Sequence, residues 1–247
     1  MNFFHITFYN PLYNGMIALL AALPWFDVGV VVIIFTIIIK FLLFPLSKKA
    51  IHTQLVMKGV QKDIDEIKKN SKGNKQEEAV KIMALYKENN INPFSGFLLV
   101  LIQLPIIISL YYVFFKGGLP NIDFNSLYSF TPVPSDIKMT LFGFMDITQK
   151  SVTVAVLAAV SQYYQIRFTL PKLEPKKEGE KRDFKDELSR SMNMQMKYVL
   201  PVFVLIGAWS LPAVVGIYWV TSNLFAIAQE VYMRRDRKEV AVSHKNI

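Results

Sequence analysis

Long apolar runs alternate with charged stretches along the chain, and the apolar runs predict membrane-spanning helices. The first predicted span covers residues 27–46 and contains VGVVVIIFTIIIKFLLFPL. A helix needs roughly 20 apolar residues to cross a bilayer, and this run has that length. Further runs predict a second span at 93–115, a third at 151–168, and a tightly paired fourth and fifth within 196–232. The pattern therefore predicts an all-α, polytopic membrane protein with five transmembrane helices.

The segments between the predicted spans differ in character. Residues 1–26 are apolar but interrupted by Pro11, Gly15 and Pro24, which predicts an extracytoplasmic segment lying at the membrane surface. Residues 47–92 are charged, with apolar positions three and four residues apart on either side of a turn signal, which predicts a helical hairpin. A solvated connecting loop is the alternative for 47–92, but loops of this length are more often functional than idle.

Lysine and arginine are unevenly distributed, and their distribution predicts the orientation. The hairpin, the charged loop at 169–195 and the basic tail at 233–247 contain nearly all of them. Residues 1–26 contain none, and the loop at 116–150 contains Lys116, Lys138 and Lys150. Because positive residues favour the cytoplasmic side of a membrane, we expect the N-terminus outside and the C-terminus in the cytoplasm.

Composition agrees with a membrane protein and excludes several chemistries. The chain is 52% hydrophobic, with a mean hydropathy of +0.30. It has no cysteine, which excludes disulfides, thiolate metal sites, a cysteine nucleophile and a lipoprotein anchor. No positive region precedes the first apolar segment, so we expect no cleaved secretory signal.

Sequence motifs for catalysis are also missing from the chain. His5, His52 and His244 are scattered, and no predicted span carries a serine–histidine pair or paired carboxylates. No glycine-rich phosphate loop is present either. We therefore expect no metal, no cofactor and no enzymatic activity.

Lys40 is the only ionisable side chain within residues 28–46. A lysine at the centre of a span costs about 2.5 to 3.5 kcal/mol on insertion scales, so Lys40 is either functional or snorkels to the headgroups. Thr36 lies four residues earlier on the same helix face. Polar residues are predicted at comparable depth on three other spans: Gln103, Gln162, Gln165, Ser222 and Asn223. Each alone indicates a hydrogen bond between helices, but together with Lys40 they favour a hydrated cavity.

Five segments, in order, resemble the YidC/Oxa/Alb family of membrane protein insertases. They are NPLYN at 10–14, KFLLFPL at 40–46, MALYKENNINPFSG at 83–96, LIQLPIIISLYYVFF at 101–115 and LPAVVGIYWVTSNLFAIAQ at 211–229. The resemblance covers residues 8–235. It implies five spans around a hydrophilic groove that is open to the cytoplasm and to lipid and closed to the outside. The family places a basic residue in the groove, usually arginine, whereas the matching residue here is Lys40, a point charge that cannot make bidentate contacts.

The resemblance also implies roles for other segments. Residues 47–92 would be the cytoplasmic region that receives nascent chains, and Tyr218 and Trp219 match an aromatic pair associated with substrate contact. Pro105, in the matching segment of the second span, is a further substrate-contact candidate. The implied partners are nascent membrane proteins, the lipid bilayer, the ribosome through the hairpin and the basic tail, and the Sec translocon as a further candidate. No small-molecule substrate is implied, and the expected location is the plasma membrane of a bacterium.

Three classes of function remain open at this stage. The favoured one is an insertase and chaperone for nascent membrane proteins that hydrolyses no nucleotide itself. The alternative is a solute transporter or channel that uses the same hydrated cavity, and a weaker one is a structural assembly subunit. Reconstitution separates them, because an insertase yields protease-protected substrate protein and a transporter yields solute flux.

Overall fold

The computed structural model describes residues 3–71, 74–92, 95–115, 118–169, 191 and 194–243. In chain order the helices are α1 (Asn10–Ala22), α2 (Val28–Leu42), α3 (Phe44–Gly59), α4 (Gln61–Asn70), α5 (Lys75–Glu88), α6 (Ser95–Phe115), α7 (Val152–Thr169), α8 (Leu200–Ser210) and α9 (Ala213–Ser243). π-Helical turns at His5–Tyr9 and Gln195–Val199 lead into α1 and α8, and Phe124–Ser126 forms a 3-10 turn. The helical fold class that the sequence predicted is confirmed.

The chain folds as two compact units. The larger comprises Met1–Phe41 and Pro105–Ile247, and the smaller comprises Leu42–Leu104. In the larger unit α7 packs against both α8 and α9. The core between these helices is built from small side chains, Ala155, Ala158 and Ala208, with Val204. Small residues let helix backbones approach closely, as they do between helices in membranes.

One short sheet departs from the helical prediction. β1 (Thr140–Leu141) and β2 (Met145–Asp146) pair antiparallel, with Leu141 opposite Met145. The turn between them has positive φ at Phe142 (55°) and Gly143 (77°). Strands of two residues are too short for an alternating pattern, so the sequence carried no readable strand signal.

The smaller unit has its own apolar core within residues 47–92. Val60, Ile64 and Ile91 are buried there, and the flanking helices add Val56, Met57, Ile82, Leu85 and Tyr86. Asn74 is the N-cap of α5, and its side chain accepts a hydrogen bond of 3.3 Å from the Glu77 amide. On α5, Ile82, Leu85 and Tyr86 pack against this core, whereas Met83 is 62% exposed.

Within the described residues, no single helix is both long and apolar enough to cross a membrane. α2 and the first part of α3, Phe44–Ile51, reach the required length and composition together across a break, and Gln103–Phe114 is a shorter apolar helix. The break follows from Pro45 in the first turn of α3, because proline has no N–H to donate to the preceding helix. The five predicted spans therefore remain a prediction.

Several predicted segments lie partly outside the described residues. Positions 170–190 and 192–193 of the predicted loop at 169–195 are among them, as are 244–247 of the predicted tail at 233–247. The same applies to 72–73 in the predicted hairpin and to 93–94 in the predicted second span.

Candidate functional site

Lys40 lies in the last turn of α2 and is partly buried. A cation in the last turn of a helix interacts favourably with the partial negative charge of the terminal carbonyls, by about 0.3 to 1 kcal/mol at an exposed site. Thr36, one turn earlier, is only 1% exposed. Its hydroxyl donates to the Val32 carbonyl at 2.7 Å, so its proton is bound within its own helix. Lys40 is thus a positive charge at the end of an apolar helix, above a buried hydroxyl.

Buried polar side chains join α7 to α9. Asn223, 7% exposed, donates through Nδ2 to Oγ of Ser161 at 3.0 Å, and Ser161 in turn donates to the Ala158 carbonyl at 2.8 Å. Ser222, next to Asn223, is 5% exposed. Ser161 was not among the predicted lining residues, although it directly precedes Gln162 in a polar run. The structure therefore brings a predicted residue of α9 together with one of α7 that the prediction omitted.

The two predicted glutamines of α7 form a chain of hydrogen bonds along that helix. Gln162 donates through Nε2 to Oε1 of Gln165 at 3.1 Å, and Gln165 donates to Oγ1 of Thr169 at 3.1 Å. Gln162 is buried and Gln165 is partly exposed. A side-chain amide has more donors and acceptors than these bonds use, so both glutamines can still bind water or a polar backbone.

An aromatic contact places the end of α2 beside this part of α9. The rings of Phe41 and Phe225 lie edge to face, with centroids 5.1 Å apart. Phe41 follows Lys40 directly, and Phe225 lies two residues after Asn223. The charge of Lys40 and the buried amide of Asn223 therefore lie at similar levels of the larger unit.

The predicted substrate-contact residues have different surroundings. Tyr218 is 1% exposed, whereas Trp219 is half-buried and packs on the Ala155, Ala158 and Val204 core. Pro105, inside α6, is partly exposed. Gln103, in the smaller unit, is likewise partly exposed. Of the aromatic pair, Trp219 presents the more accessible surface.

Asn14 and Tyr13 in α1 hold the loop between α6 and α7, and the sequence did not predict this contact. Oδ1 of Asn14 accepts from the Tyr128 amide and from Oγ1 of Thr131, both at 2.7 Å, and its Nδ2 donates to the Ser126 carbonyl at 2.8 Å. The Tyr13 hydroxyl accepts from the Asp123 amide at 2.8 Å. In the sequence, Asn14 could have been recognised as a candidate for such a contact because it is an asparagine within a largely apolar helix.

Asp27 fixes the start of α2 in a similar way and was also missed. Its Oδ1 accepts from the Val30 amide at 3.1 Å, and its Oδ2 accepts from the Gly143 amide at 2.8 Å and from Oγ1 of Thr140 at 3.2 Å. Aspartate immediately before an apolar helix is a preferred N-cap residue, so the sequence did carry this signal. Among the described residues, no group of His, Asp and Glu side chains is arranged to hold a metal ion.

Comparisons with known proteins agree on one family. The model of the family described as "60Kd inner membrane protein" matches residues 20–240. A Clostridium tetani protein named membrane protein insertase YidC is 34% identical, over 86% of this chain and 84% of its own length. Proteins of the same name are 30% identical in Clostridium acetobutylicum (83% of this chain, 72% of the relative) and 28% identical in Fusobacterium nucleatum (84% and 86%).

Proposed function

Because the chain belongs to the family of the 60Kd inner membrane protein, the YidC/Oxa/Alb family, we propose that it inserts nascent membrane proteins into the inner membrane of a bacterium. The observation that carries the proposal is Lys40 at the level of the buried Asn223–Ser161 pair. A charge and buried amides in apolar helices are expensive in lipid, and such groups are characteristic of functional sites. In this proposal five spans surround a groove that is open to the cytoplasm, with the N-terminus outside.

The groove lowers the main barrier to insertion. Moving a polar or charged flank through hydrocarbon is costly because the flank loses its hydration. A groove lined by Lys40 and the amides of Gln162 and Asn223 replaces part of that hydration. Lys40 attracts an acidic flank, and the membrane potential contributes about 2.3 kcal/mol per charge for every 100 mV crossed.

Release of the substrate needs no nucleotide hydrolysis by this chain, whose sequence has no phosphate-binding loop. An apolar substrate segment leaves the groove for lipid, and burial of its surface provides about 25 cal/mol per Å2. The groove must therefore bind the substrate segment only weakly, so that the segment can leave. Trp219 and Pro105 are the candidates for contact with the departing segment, since both remain partly exposed.

The smaller unit is proposed to receive the nascent chain on the cytoplasmic side. Val80 and Met83 on α5 are 70% and 62% exposed, on a helix that is otherwise strongly charged. Exposed apolar groups among charges suit transient contact with an apolar segment. Ribosome contact through the hairpin and the tail, and cooperation with the Sec translocon, are further parts of this proposal.

The test is insertion into vesicles that contain only the purified chain. The substrate has an acidic translocated flank, and a matched substrate has the same flank with amides in place of the carboxylates. Wild type and Lys40→Arg are expected to protect the acidic substrate from protease, Lys40→Ala to protect less, and Lys40→Glu least. The amide substrate should be insensitive to all three changes.

Lys138→Glu provides a matched charge reversal, because Lys138 is an exposed side chain in the loop between α6 and α7. It should leave insertion unchanged. If all three Lys40 variants insert the acidic substrate as wild type does, charge capture is wrong. Solute flux without protected substrate would instead identify a transporter.

A further inference from the structure

Four large aromatic side chains of the larger unit, near the start of α2, are left uncovered by the rest of the chain. Trp25 is 82% exposed, Phe26 46%, Phe142 65% and Phe144 80%. They come from two segments that are far apart in the sequence, the end of the connection from α1 to α2 and the turn between β1 and β2. A contiguous apolar patch on a protein surface usually marks a contact with a partner or a membrane.

The carboxylate of Asp27 joins the two segments. It follows Phe26 directly and is 8% exposed. Its Oδ2 accepts from the amide of Gly143, the residue between Phe142 and Phe144, at 2.8 Å. The main chain adds a second link, since the Val28 amide donates to the Lys138 carbonyl at 2.9 Å. The two segments that carry the aromatic residues are therefore tied together at the start of α2.

The β1–β2 turn lies directly against the first turn of α2. A Cβ atom added at Gly29 would lie 2.7 Å from Cβ of Leu141 and 2.8 Å from the Thr140 carbonyl oxygen. Only glycine permits this approach without displacing backbone. The strand before the turn is consequently packed directly against the start of α2.

The backbone conformation of Phe142 is unusual for a residue with a bulky side chain. Its φ of 55° is in the left-handed region, which costs an L-residue with a Cβ roughly 1–2 kcal/mol. Asparagine or glycine would adopt this turn more readily. The rings of Phe142 and Phe144 nevertheless stack, with centroids 6.4 Å apart at 27°, and both are exposed on the surface of the chain. A strained position that carries an exposed aromatic ring favours function over packing.

We propose that Trp25, Phe26, Phe142 and Phe144 form an aromatic anchor that inserts into the boundary between headgroups and acyl chains of the bilayer. This proposal rests on the proposed function, and one observation, together with a general rule, selects lipid over protein as the occupant. The patch is continuous with α2, whose apolar sequence begins at Val28, directly after the anchor. Tryptophan and other aromatic residues concentrate at this level, where a span enters the headgroup region.

The anchor also sets the depth of Lys40. Along a straight helix, Lys40 lies about 18 Å from Val28 at 1.5 Å per residue. The hydrocarbon core is about 30 Å thick, which places Lys40 past its midplane. The anchor therefore fixes how far the charge of α2 enters the membrane.

Spin labelling tests the anchor, and the absence of native cysteine makes single labels possible. Phe144→Cys is placed on a side chain that is 80% exposed, so it should not disturb folding. Ser135→Cys is the aqueous control, since it is exposed and precedes the exposed Asp136–Lys138 ion pair. In nanodiscs, the label at 144 should be relaxed by oxygen, which dissolves in lipid, more than by a water-soluble nickel chelate. The label at 135 should show the reverse.

Two results would overturn the proposal. Equal access of the nickel chelate to both labels would place residue 144 in water. Exclusion of both reagents from residue 144 would show that protein, such as a second copy of the chain, covers it.

A second set of variants tests the role of Asp27 as the clamp. Asp27→Ala in the Phe144→Cys chain should move the label towards water, and Thr140→Val, which removes only one of the bonds to Asp27, should move it less. An unchanged label depth in Asp27→Ala would refute the clamp.

Discussion

Asn14 fastens the loop between α6 and α7 to α1, and we predict that Asn14→Ala releases this loop. Asn14 is 4% exposed and makes three hydrogen bonds to the loop, with Ser126, Tyr128 and Thr131, at 2.7 to 2.8 Å. Its Nδ2 also donates to the Asn10 carbonyl at 2.8 Å. The alanine variant keeps the helix but removes the common partner of three loop groups.

The size of the effect follows from these bonds. Each buried donor or acceptor left without a partner costs about 1 to 3 kcal/mol, and water entering the site recovers part of that cost. The Tyr128 amide and the Thr131 hydroxyl are such groups, and the Ser126 carbonyl can turn towards solvent. We therefore expect local destabilisation of about 2 to 4 kcal/mol.

Hydrogen exchange at the Tyr128 amide measures this opening directly. A loss of 2 to 4 kcal/mol corresponds to exchange that is roughly 30 to 1,000 times faster, at 1.4 kcal/mol per factor of ten. Asn125→Ala is the matched control, because Asn125 is exposed on the same loop and its loss should cost less than about 0.5 kcal/mol. Unchanged exchange at Tyr128 in Asn14→Ala, or equal acceleration in Asn125→Ala, would refute the reasoning.

Three further predictions address packing and ionisation. Gly216→Ala places a methyl group 2.5 Å from Cγ1 of Val154, so we expect the free energy of unfolding, measured by thermal unfolding, to fall by about 1 to 3 kcal/mol. Adding Val154→Ala should restore part of this stability. If the double variant shows no rescue, this contact is not the cause. Ile64→Ala truncates a side chain that is 6% exposed, so the smaller unit should lose about 2 to 5 kcal/mol of stability and its amide hydrogens should exchange faster. Val80→Ala, at a 70% exposed position, should leave both the stability and the exchange rates unchanged. Burial raises the pKa of Tyr9 from 10.0 to about 12, so the unfolded chain releases this proton at lower pH than the folded chain, and stability should fall as the pH rises between these values. Tyr9→Phe should therefore make the fall of stability with pH less steep in this range. An unchanged pH dependence would show that Tyr9 is not responsible.

The helical class was predictable because its signal is local. Apolar positions three and four residues apart mark a buried helix face, and Val60 and Ile64 in the smaller unit follow that rule. The bond between Asn223 and Ser161 was not predictable in the same way. Its partners are 62 residues apart, and their pairing depends on how α7 and α9 pack. The sequence supplied polar candidates, whereas tertiary packing selected the pairs.

The loop at 116–150 was the least predictable part, for a physical reason. Its order comes from hydrogen bonds to Asn14, Tyr13 and Asp27, which lie more than a hundred residues earlier. Neither helical period nor alternation describes such a segment, because its partners are single side chains on other elements. Asp27 was still recognisable as a helix cap, but its second set of bonds, to the β1–β2 turn, required the fold.

Within the larger unit, the start of α9 and the part around Asn223 are held by different kinds of interaction. At its start, main-chain amides donate to the loop between α6 and α7: Ala213 to the Gln149 carbonyl at 2.8 Å and Val214 to the Ile147 carbonyl at 3.1 Å. Further along, side chains join α9 to α7, with Asn223 donating to Ser161 at 3.0 Å. The Asn223 amide and the Ser161 hydroxyl can each replace their mutual hydrogen bond with one to water or to a substrate backbone. Under the proposed function, we therefore expect α7 and α9 to separate near Asn223 and Ser161 rather than at the start of α9.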